Sequence, residues 1–216
     1  MHLDEDVTGD RAGCVRLSSM TNPSRSRPLP LFPLPTVLVP GASLGLRIFE
    51  PRYLDLVREC GRHQSGFGIC LVIDGEAGGE AGAAAAYGTE ALIEDFDTGD
   101  DGLLTLRVRG ARRFHARQVR VRDNGLQMAD VDWCEPDPVE PLRPEHGLLA
   151  NLLQTVLEQV GGEHAKAMDA HIDDAAWVGW RLAEMLPLED AQRQQLLQVD
   201  DPHERMDRLL SLLPDA

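Results

Sequence analysis

A serine-hydrolase motif is the first feature of the sequence that could carry chemistry. Ser43 lies between Gly41 and Gly45 in the pattern G-x-S-x-G, which exposes its nucleophile only where a strand precedes the serine and a helix follows it directly. The residues after Ser43 alternate between apolar and polar at the period of a strand, so the required helix is not predicted. We therefore interpret the motif as a chance match, and an unrecognised hydrolase stays an alternative function.

Two histidines in the C-terminal half could bind a metal. His164 and His171 are seven residues apart, so they could share one face of a helix, and Asp169, Asp173 and Asp174 lie close by in the chain. A stable metal site needs three or four firm ligands at a suitable spacing, and this segment offers no firm third one. The sequence predicts a solvated polar segment here, with neither a metal nor a cofactor.

The basic residues of this acidic chain concentrate in one stretch. Within sixteen residues there is no acid and there are seven arginines: Arg107, Arg109, Arg112, Arg113, Arg117, Arg120 and Arg122. One interpretation is an anion or RNA site. The other is a set of strand residues that point to solvent and pair with Asp and Glu on neighbouring strands. We favour the second, because few aromatic residues interleave to stack bases.

Composition sets broader limits on function. The 216 residues are 43% hydrophobic and 26% charged, with a net charge of -15 that repels phosphate backbones and anionic lipid. No apolar run approaches the roughly 18 residues that cross a bilayer, and residues 1–19 are acidic where a signal peptide is basic and apolar. We expect a cytoplasmic protein with no membrane partner. Buried reduced thiols are expected at the four scattered cysteines, Cys14, Cys60, Cys70 and Cys134.

The N-terminal part of the chain is predicted to be rich in strands. Its prolines place the segment from Pro28 to Pro35 on an edge or lead-in strand, and a short helix begins at Glu50-Pro51 and closes at Gly61. Residues 75–88 are rich in Gly and Ala and predict a long mobile loop. Strands are also predicted at 44–48 and 67–73. Three or four more follow at about 89–96, 103–109, 113–122 and 126–134, the last two ranges joined by a hairpin turn at Asn124-Gly125.

The period changes from two to about 3.6 in the C-terminal part. A broad apolar helical face runs from Leu148 to Val160 and ends at Gly161-Gly162, and three shorter helices follow, the last capped by Asp201-Pro202. The expected fold class is therefore α+β. Four regions are predicted: a tail at 1–27, in which Met20 could be the true start, a β-rich lobe at 28–134, a proline-rich linker at 135–144 and a helical lobe at 145–216.

Three segments resemble the N-terminal, substrate-binding domain of Lon proteases. The most specific is the opening stretch, Leu29-Pro30-Leu31-Phe32-Pro33-Leu34, then Pro40-Gly41, then Leu44-Gly45-Leu46-Arg47-Ile48-Phe49-Glu50-Pro51-Arg52-Tyr53. The others are Val108-Arg109-Gly110-Ala111-Arg112-Arg113-Phe114, and Leu186-Pro187-Leu188 followed by Gln195-Leu196-Leu197 and Asp201 to Arg205. The resemblance implies a PUA-like pseudo-barrel joined to a helical bundle, which in Lon recognises unfolded or tagged proteins and helps to assemble the oligomer.

The departures from full-length Lon narrow the implied function. The sequence has no G-x-x-x-x-G-K-[ST] phosphate loop, and its one lysine, Lys166, has no serine in a Lon-like catalytic context. The resemblance thus implies a non-catalytic polypeptide-binding module, and an adaptor for protein quality control is one possible role. Expected partners are unfolded or extended polypeptides and a protease or chaperone. Oligomerisation is possible, and a PUA-like RNA-binding protein is the alternative.

The candidate site residues come from this resemblance. Phe49 and Tyr53 are expected to anchor the short helix on the sheet, and Glu50 is expected to form an ion pair with Arg47 or Arg52. Peptide is expected to bind in a groove beside the proline-rich strand, through backbone pairing. The full candidate set is Phe32, Leu46, Arg47, Phe49, Glu50, Arg52, Tyr53, Arg109, Arg112 and Arg113.

Overall fold

The computed structural model describes residues 28–73, 83–99 and 101–213. The predicted tail and residues 75–82 of the predicted loop lie outside these ranges. Within them, strands come first and helices second, which is the predicted α+β order. The strands are β1 (Leu29–Leu34), β2 (Ser43–Ile48), β3 (Phe67–Ile73), β4 (Ala83–Thr98), β5 (Leu104–Val121) and β6 (Gln127–Trp133); helix α1 (Pro51–His63) lies between β2 and β3.

The strands form one mixed sheet that closes into a ring. Its order is β2-β5-β4-β3-β1-β6, and β6 also pairs with the second half of β5, which closes five of the strands on themselves. β2 lies outside this ring and pairs with the first half of β5. Because β5 is 18 residues long, it has room for β2 and β6 one after the other along the same side.

The prediction that the proline-rich strand lies at an edge is wrong. β1 lies between two neighbours, parallel to β3 at Leu31–Leu34 and antiparallel to β6 at Leu29 and Pro30. Each proline in the strand is in register with one neighbour only, Pro30 with β6 and Pro33 with β3. The sheet tolerates the missing N–H groups because the pairing on each side of β1 covers only part of its length.

One further prediction from local composition is wrong. Residues 83–88 belong to β4 instead of a loop, because this alanine-rich run pairs with β3 on one side and, at Tyr87 and Gly88, with β5 on the other. The segments 103–109 and 113–122 form one strand, so three strands follow β3, the smaller of the two predicted numbers. A register shift against β4 near Gly110 lets β5 bend without ending.

Helix α1 begins, as predicted, with Pro51 at its first turn. It continues past the predicted stop at Gly61 and ends at His63, where Gln64 adopts the left-handed conformation with φ of 49°. The helices of the C-terminal part are α2 (Gly147–Val160), α3 (Gly162–His171), α4 (Ala175–Met185), α5 (Asp190–Leu197) and α6 (Pro202–Leu212). α3 was not predicted, because its sequence has no apolar stripe and none of its residues is buried.

The main apolar core joins the sheet to the helices. One cluster of buried side chains includes Phe67 and Val108 from the strands, Leu56 from α1, and Leu153 and Leu209 from α2 and α6. A smaller cluster inside the ring is centred on Phe114. The boundaries of the predicted lobes and linker stay a prediction. No helix among the described residues is long and apolar enough to cross a membrane.

Candidate functional site

Seven of the ten candidate residues line one groove on the sheet. This groove, called here the signature groove, is a cavity of about 360 Å³ bordered by β1, β2 and the start of α1. Its lining includes Gly45 of β2, Gly125 of the turn before β6, and the seven candidates, Phe32, Leu46, Arg47, Phe49, Glu50, Arg52 and Tyr53. Six of these candidates lie close together in the sequence, between Leu46 and Tyr53. The fold of the sheet brings Phe32 to the same groove.

An aromatic stack forms the floor of the signature groove. The rings of Phe32 and Tyr53 lie 4.0 Å apart at 23°, and the Arg52 guanidinium lies 4.8 Å from the Tyr53 ring centre. Both rings are buried, so Tyr53 anchors α1 on the sheet as predicted. Burial raises the pKa of the Tyr53 hydroxyl, with a smaller opposing effect from Arg52. The floor is therefore mainly apolar.

Charged side chains form the rim. Glu50 pairs with Arg52 at 2.7 Å, which is one of the two predicted ion pairs, and Arg52 also donates to the carbonyl of Gly125 at 3.2 Å. Arg47 pairs instead with Asp101, in the turn between β4 and β5. The prediction that Phe49 anchors the helix is wrong, because its side chain is 68% exposed. Phe49 lies just before α1, where its ring points away from the core.

Strand β2 gives the signature groove an open sheet edge. Among the described residues, β2 pairs with β5 alone. The N–H of Gly110 donates to the carbonyl of Ala42 at 2.9 Å, which fixes the phase of this antiparallel ladder. Hydrogen-bonded positions alternate along an antiparallel pair, so the backbone N–H and C=O groups of Leu44, Leu46 and Ile48 point towards β5. The N–H and C=O groups of Ser43, Gly45 and Arg47 therefore point outward.

The other three candidates lie elsewhere, at a cleft between the sheet and the helices. This sheet–helix cleft has a volume of about 470 Å³, and Arg109, Arg112, Arg113, Trp180 and Arg181 are among its lining residues. It is separate from the signature groove, since the two cavities share no lining residue. The candidate set thus contains residues from two different cavities of the structure.

Ion pairs neutralise the arginines of this cleft. Arg112 pairs with Glu90 at 2.9 Å and stacks 3.8 Å over the ring of Trp133. Arg109 pairs with Glu94 and with Glu163. These contacts raise the pKa of Arg109, chiefly through its hydrogen bond to Glu94, and Arg109 in turn lowers the pKa of the Glu163 carboxyl. Both arginines therefore hold secondary-structure elements together.

Arg113 is buried and has a structural role. It donates to the carbonyl oxygens of Leu197 and Val199, at 3.0 Å each, and pairs with Asp137 at 3.1 Å. Arg113 is 4% exposed and Asp137 lies outside the strands, so this residue departs from the solvent-facing pairs with neighbouring strands that we favoured for the whole arginine-rich stretch. Its other members also pair with acids, Arg107 with Glu94 and Asp95, Arg117 with Asp132, Arg120 with Asp130, and Arg122 with Glu59.

The remaining chemical candidates have local roles. Ser43 begins strand β2, and the next helix starts only at Pro51, so the strand–serine–helix context of a hydrolase does not occur there. His164 contacts Arg181 and Glu184, whereas the ring of His171 stacks on Trp177 at 5.6 Å. Over the described ranges, no three His, Cys, Asp or Glu side chains come together as a metal site.

Two features of the site were missed by sequence reasoning. The first is Asp137, which accepts hydrogen bonds from Arg113, Arg205 and the indole of Trp180. A signal was available, because Arg205 falls on the buried face of α6 beside Met206 and Leu209. The second is the exposed Phe96 of β4, at which no sequence motif points.

These observations define an α+β protein with a closed mixed sheet, an open edge strand and a packed set of C-terminal helices. The chain belongs to the family described as the ATP-dependent protease La (LON) substrate-binding domain, whose model matches residues 28–215. That domain is non-catalytic in itself.

Two solved structures are similar to the chain. The Lon N-terminal domain protein from Xanthomonas campestris is 57% identical in sequence, with a TM-score of 0.74, and the match covers 88% of this chain and 100% of that one. The N-terminal domain of a Mycobacterium avium complex Lon protease is 17% identical, with a TM-score of 0.61 over 86% of this chain and 97% of its own. The second likeness shows the fold alone.

Proposed function

We propose that this protein is a non-catalytic module that binds extended or unfolded polypeptides, and that it serves protein quality control as an adaptor for a protease or chaperone. Membership of a substrate-binding family supports the first part. The observation that carries it is the open edge of β2 beside the signature groove.

The edge of β2 suits an extended peptide of almost any sequence. Outward N–H and C=O groups at Ser43, Gly45 and Arg47 can pair with a peptide backbone as a further strand would. All three residues are exposed, and Gly45 has no side chain to obstruct an approaching strand. Backbone pairing gives affinity without strict sequence choice, which is the property that a module for unfolded clients needs.

The signature groove supplies the side-chain contacts. Its floor is the Phe32–Tyr53 stack, and Phe49 projects beside it with 68% of its surface exposed. An apolar side chain of a bound peptide can remove both Phe49 and itself from water. The expected ligand is thus an extended segment with an apolar residue, bound weakly, in the range of tens of micromolar.

Backbone methylation of the ligand tests the proposed pairing while the protein stays unchanged. In an extended peptide, N–H groups point alternately to the two sides, so a peptide N-methylated at two consecutive central residues is blocked on both sides, whereas one N-methylated at two alternate residues keeps a free side. We expect the first of them to bind about tenfold more weakly than the second in fluorescence anisotropy. Equal affinities of the two would exclude pairing at the edge, and an unmethylated peptide that does not bind would exclude the function itself.

The alternatives are tested in the same preparation. If the arginine-rich strands recognised RNA, the protein would retain RNA in a filter-binding assay, and added salt would weaken that binding. We expect none, because the seven arginines already pair with acids. If the protein were a hydrolase, a fluorophosphonate probe would label the wild type but not Ser43→Ala. We expect no labelling of either.

A further inference from the structure

We propose that the surface around Phe96 is a second subsite for the same polypeptide, and that it selects an apolar residue flanked by basic residues. This inference rests on the proposed function and names the class of segment that the module prefers. The subsite, called here the Phe96 strip, consists of Leu92, Asp95, Phe96 and Asp97 of β4 with Leu104 of β5.

Large apolar side chains of the Phe96 strip are exposed, and no other element among the described residues covers them. Phe96 is 71% exposed and Leu92 is 44% exposed, although both lie on a strand in the middle of the sheet order. They border a cavity of about 580 Å³ between β4 and α1, whose walls include Val57, Ile93 and Leu104. A cavity of this size accommodates a bulky apolar side chain.

The Phe96 strip is continuous with the edge of β2. A shallow depression of about 270 Å³ lies between them, and its lining includes both Gly45 and Phe96. Gly45 also borders the signature groove, and Phe96 also borders the cavity beside α1. One extended polypeptide that follows these adjoining cavities would pass from the signature groove over β2 to Phe96.

The charge around Phe96 determines which neighbours the apolar residue should have. Asp95 and Asp97 precede and follow Phe96 in β4, are exposed, and line the shallow depression together with it. Their carboxylates accept hydrogen bonds from the N–H groups of Phe96 and Thr98, and Asp95 also pairs with Arg107 at 3.7 Å. Within the described ranges no cation pairs with Asp97. Lys or Arg next to the apolar residue of a client would find opposite charges there, whereas Glu or Asp would be repelled.

Three labelled peptides of about twelve residues test this selection, each with a central Phe-Leu pair flanked by Lys, Gln or Glu. Fluorescence anisotropy should give the order Lys above Gln above Glu, with about fivefold between the extremes, and the difference should shrink at high salt. Asp95→Asn combined with Asp97→Asn should reduce that difference to less than twofold. Phe96→Ser should weaken all three peptides by about fivefold.

Val160→Ser provides the matched control, since Val160 is 70% exposed at the far end of α2. It should leave every affinity unchanged, and Phe96→Ser and Val160→Ser should both keep the unfolding midpoint of the wild type.

If wild type binds none of the peptides, the proposed function and this inference both fail. If the peptides bind but Phe96→Ser behaves as Val160→Ser does, or Lys and Glu flanks bind equally, the proposed function stands and the Phe96 strip is excluded. A wild-type dimer that Phe96→Ser dissociates in sedimentation would assign the strip to a second copy and overturn the inference.

Discussion

Asp137 accepts hydrogen bonds from both terminal nitrogens of Arg205, at 3.1 Å each, where the sheet meets the helices. Arg205 is fully buried, and its guanidinium lies 3.6 Å from the centre of the Trp180 ring. The same carboxylate pairs with Arg113 of β5 at 3.1 Å. One acid thus connects β5, α4 and α6, and burial lowers the pKa of Arg205 against the opposing effect of Asp137.

Asp137→Asn should therefore destabilise the protein strongly. The substitution removes the charge that compensates Arg205 and Arg113, and uncompensated buried charges cost about 3 to 5 kcal/mol. Urea unfolding followed by tryptophan fluorescence measures the change. Asp200→Asn is the matched control, because Asp200 also pairs with Arg113 but has an 81% exposed side chain, so its loss should cost less than about 1 kcal/mol. Equal effects of the two substitutions would show that Asp137 has no special role.

The fold was predictable from local patterns wherever apolar periodicity and turn residues agree. The helix that begins at Pro51 and the hairpin turn at Gly125 carry strong local signals, and both form where they were predicted. The alanine run at 83–88 carries no such signal, because its strand conformation depends on pairing with β3 and β5. The position of β1 was not predictable from its own residues either. Its prolines suggested an edge, but closure of the ring places it between β3 and β6.

The candidate site was predictable in its composition but not in its geometry. The motif around Arg47 and Tyr53 marks the signature groove, yet nothing local shows that Arg113 lies in a different cavity. The open edge belongs to β2 and not to β1, since the edge is decided by which strand lies outside the ring. Non-local strand order is the information that a single sequence does not display.

Gly110→Ala should destabilise the protein through a steric conflict. A Cβ at this position would lie 2.3 Å from the carbonyl oxygen of Val39, and backbone cannot move aside as a flexible side chain can. We expect a loss of about 1 to 3 kcal/mol in urea unfolding. Gly45→Ala is the control on the neighbouring strand, because no atom lies within 4 Å of its added Cβ. A Gly110→Ala protein as stable as the Gly45→Ala protein would contradict the close approach of the two segments.

His164 should make stability depend on pH. Its pKa is lowered from 6.5, first by burial and then by the Arg181 guanidinium, although Glu184 and Glu163 oppose the shift. The folded state thus binds the imidazole proton more weakly than the unfolded state does. The contribution of His164 is complete above about pH 6.5 and is lost as the pH falls through the folded pKa. Unfolding free energies between pH 7.5 and 5 should decline less steeply in His164→Gln than in wild type.

His63→Gln serves as the control for this pH dependence, because His63 is exposed at the end of α1. It shows how much of any change in slope follows from removing an exposed imidazole. The difference between wild type and each variant isolates one histidine, so the titration of other groups cancels. A His164→Gln profile parallel to that of wild type over the whole range would show that burial does not perturb this histidine.

Cys70 should be unreactive while the protein is folded. It lies 1% exposed on β3, and burial raises the pKa of its thiol to about 12. At pH 8 only about one thiol in ten thousand would then be a thiolate, which is the reactive form.

Cys134 is the internal comparison, because it lines the sheet–helix cleft and is only partly buried. Alkylation with iodoacetamide, followed by peptide mapping in a mass spectrometer, should modify Cys134 first and Cys70 only when urea unfolds the sheet. Alkylation of both at the same rate in the native protein would mean that β3 opens far more readily than its pairing with β1 and β4 implies.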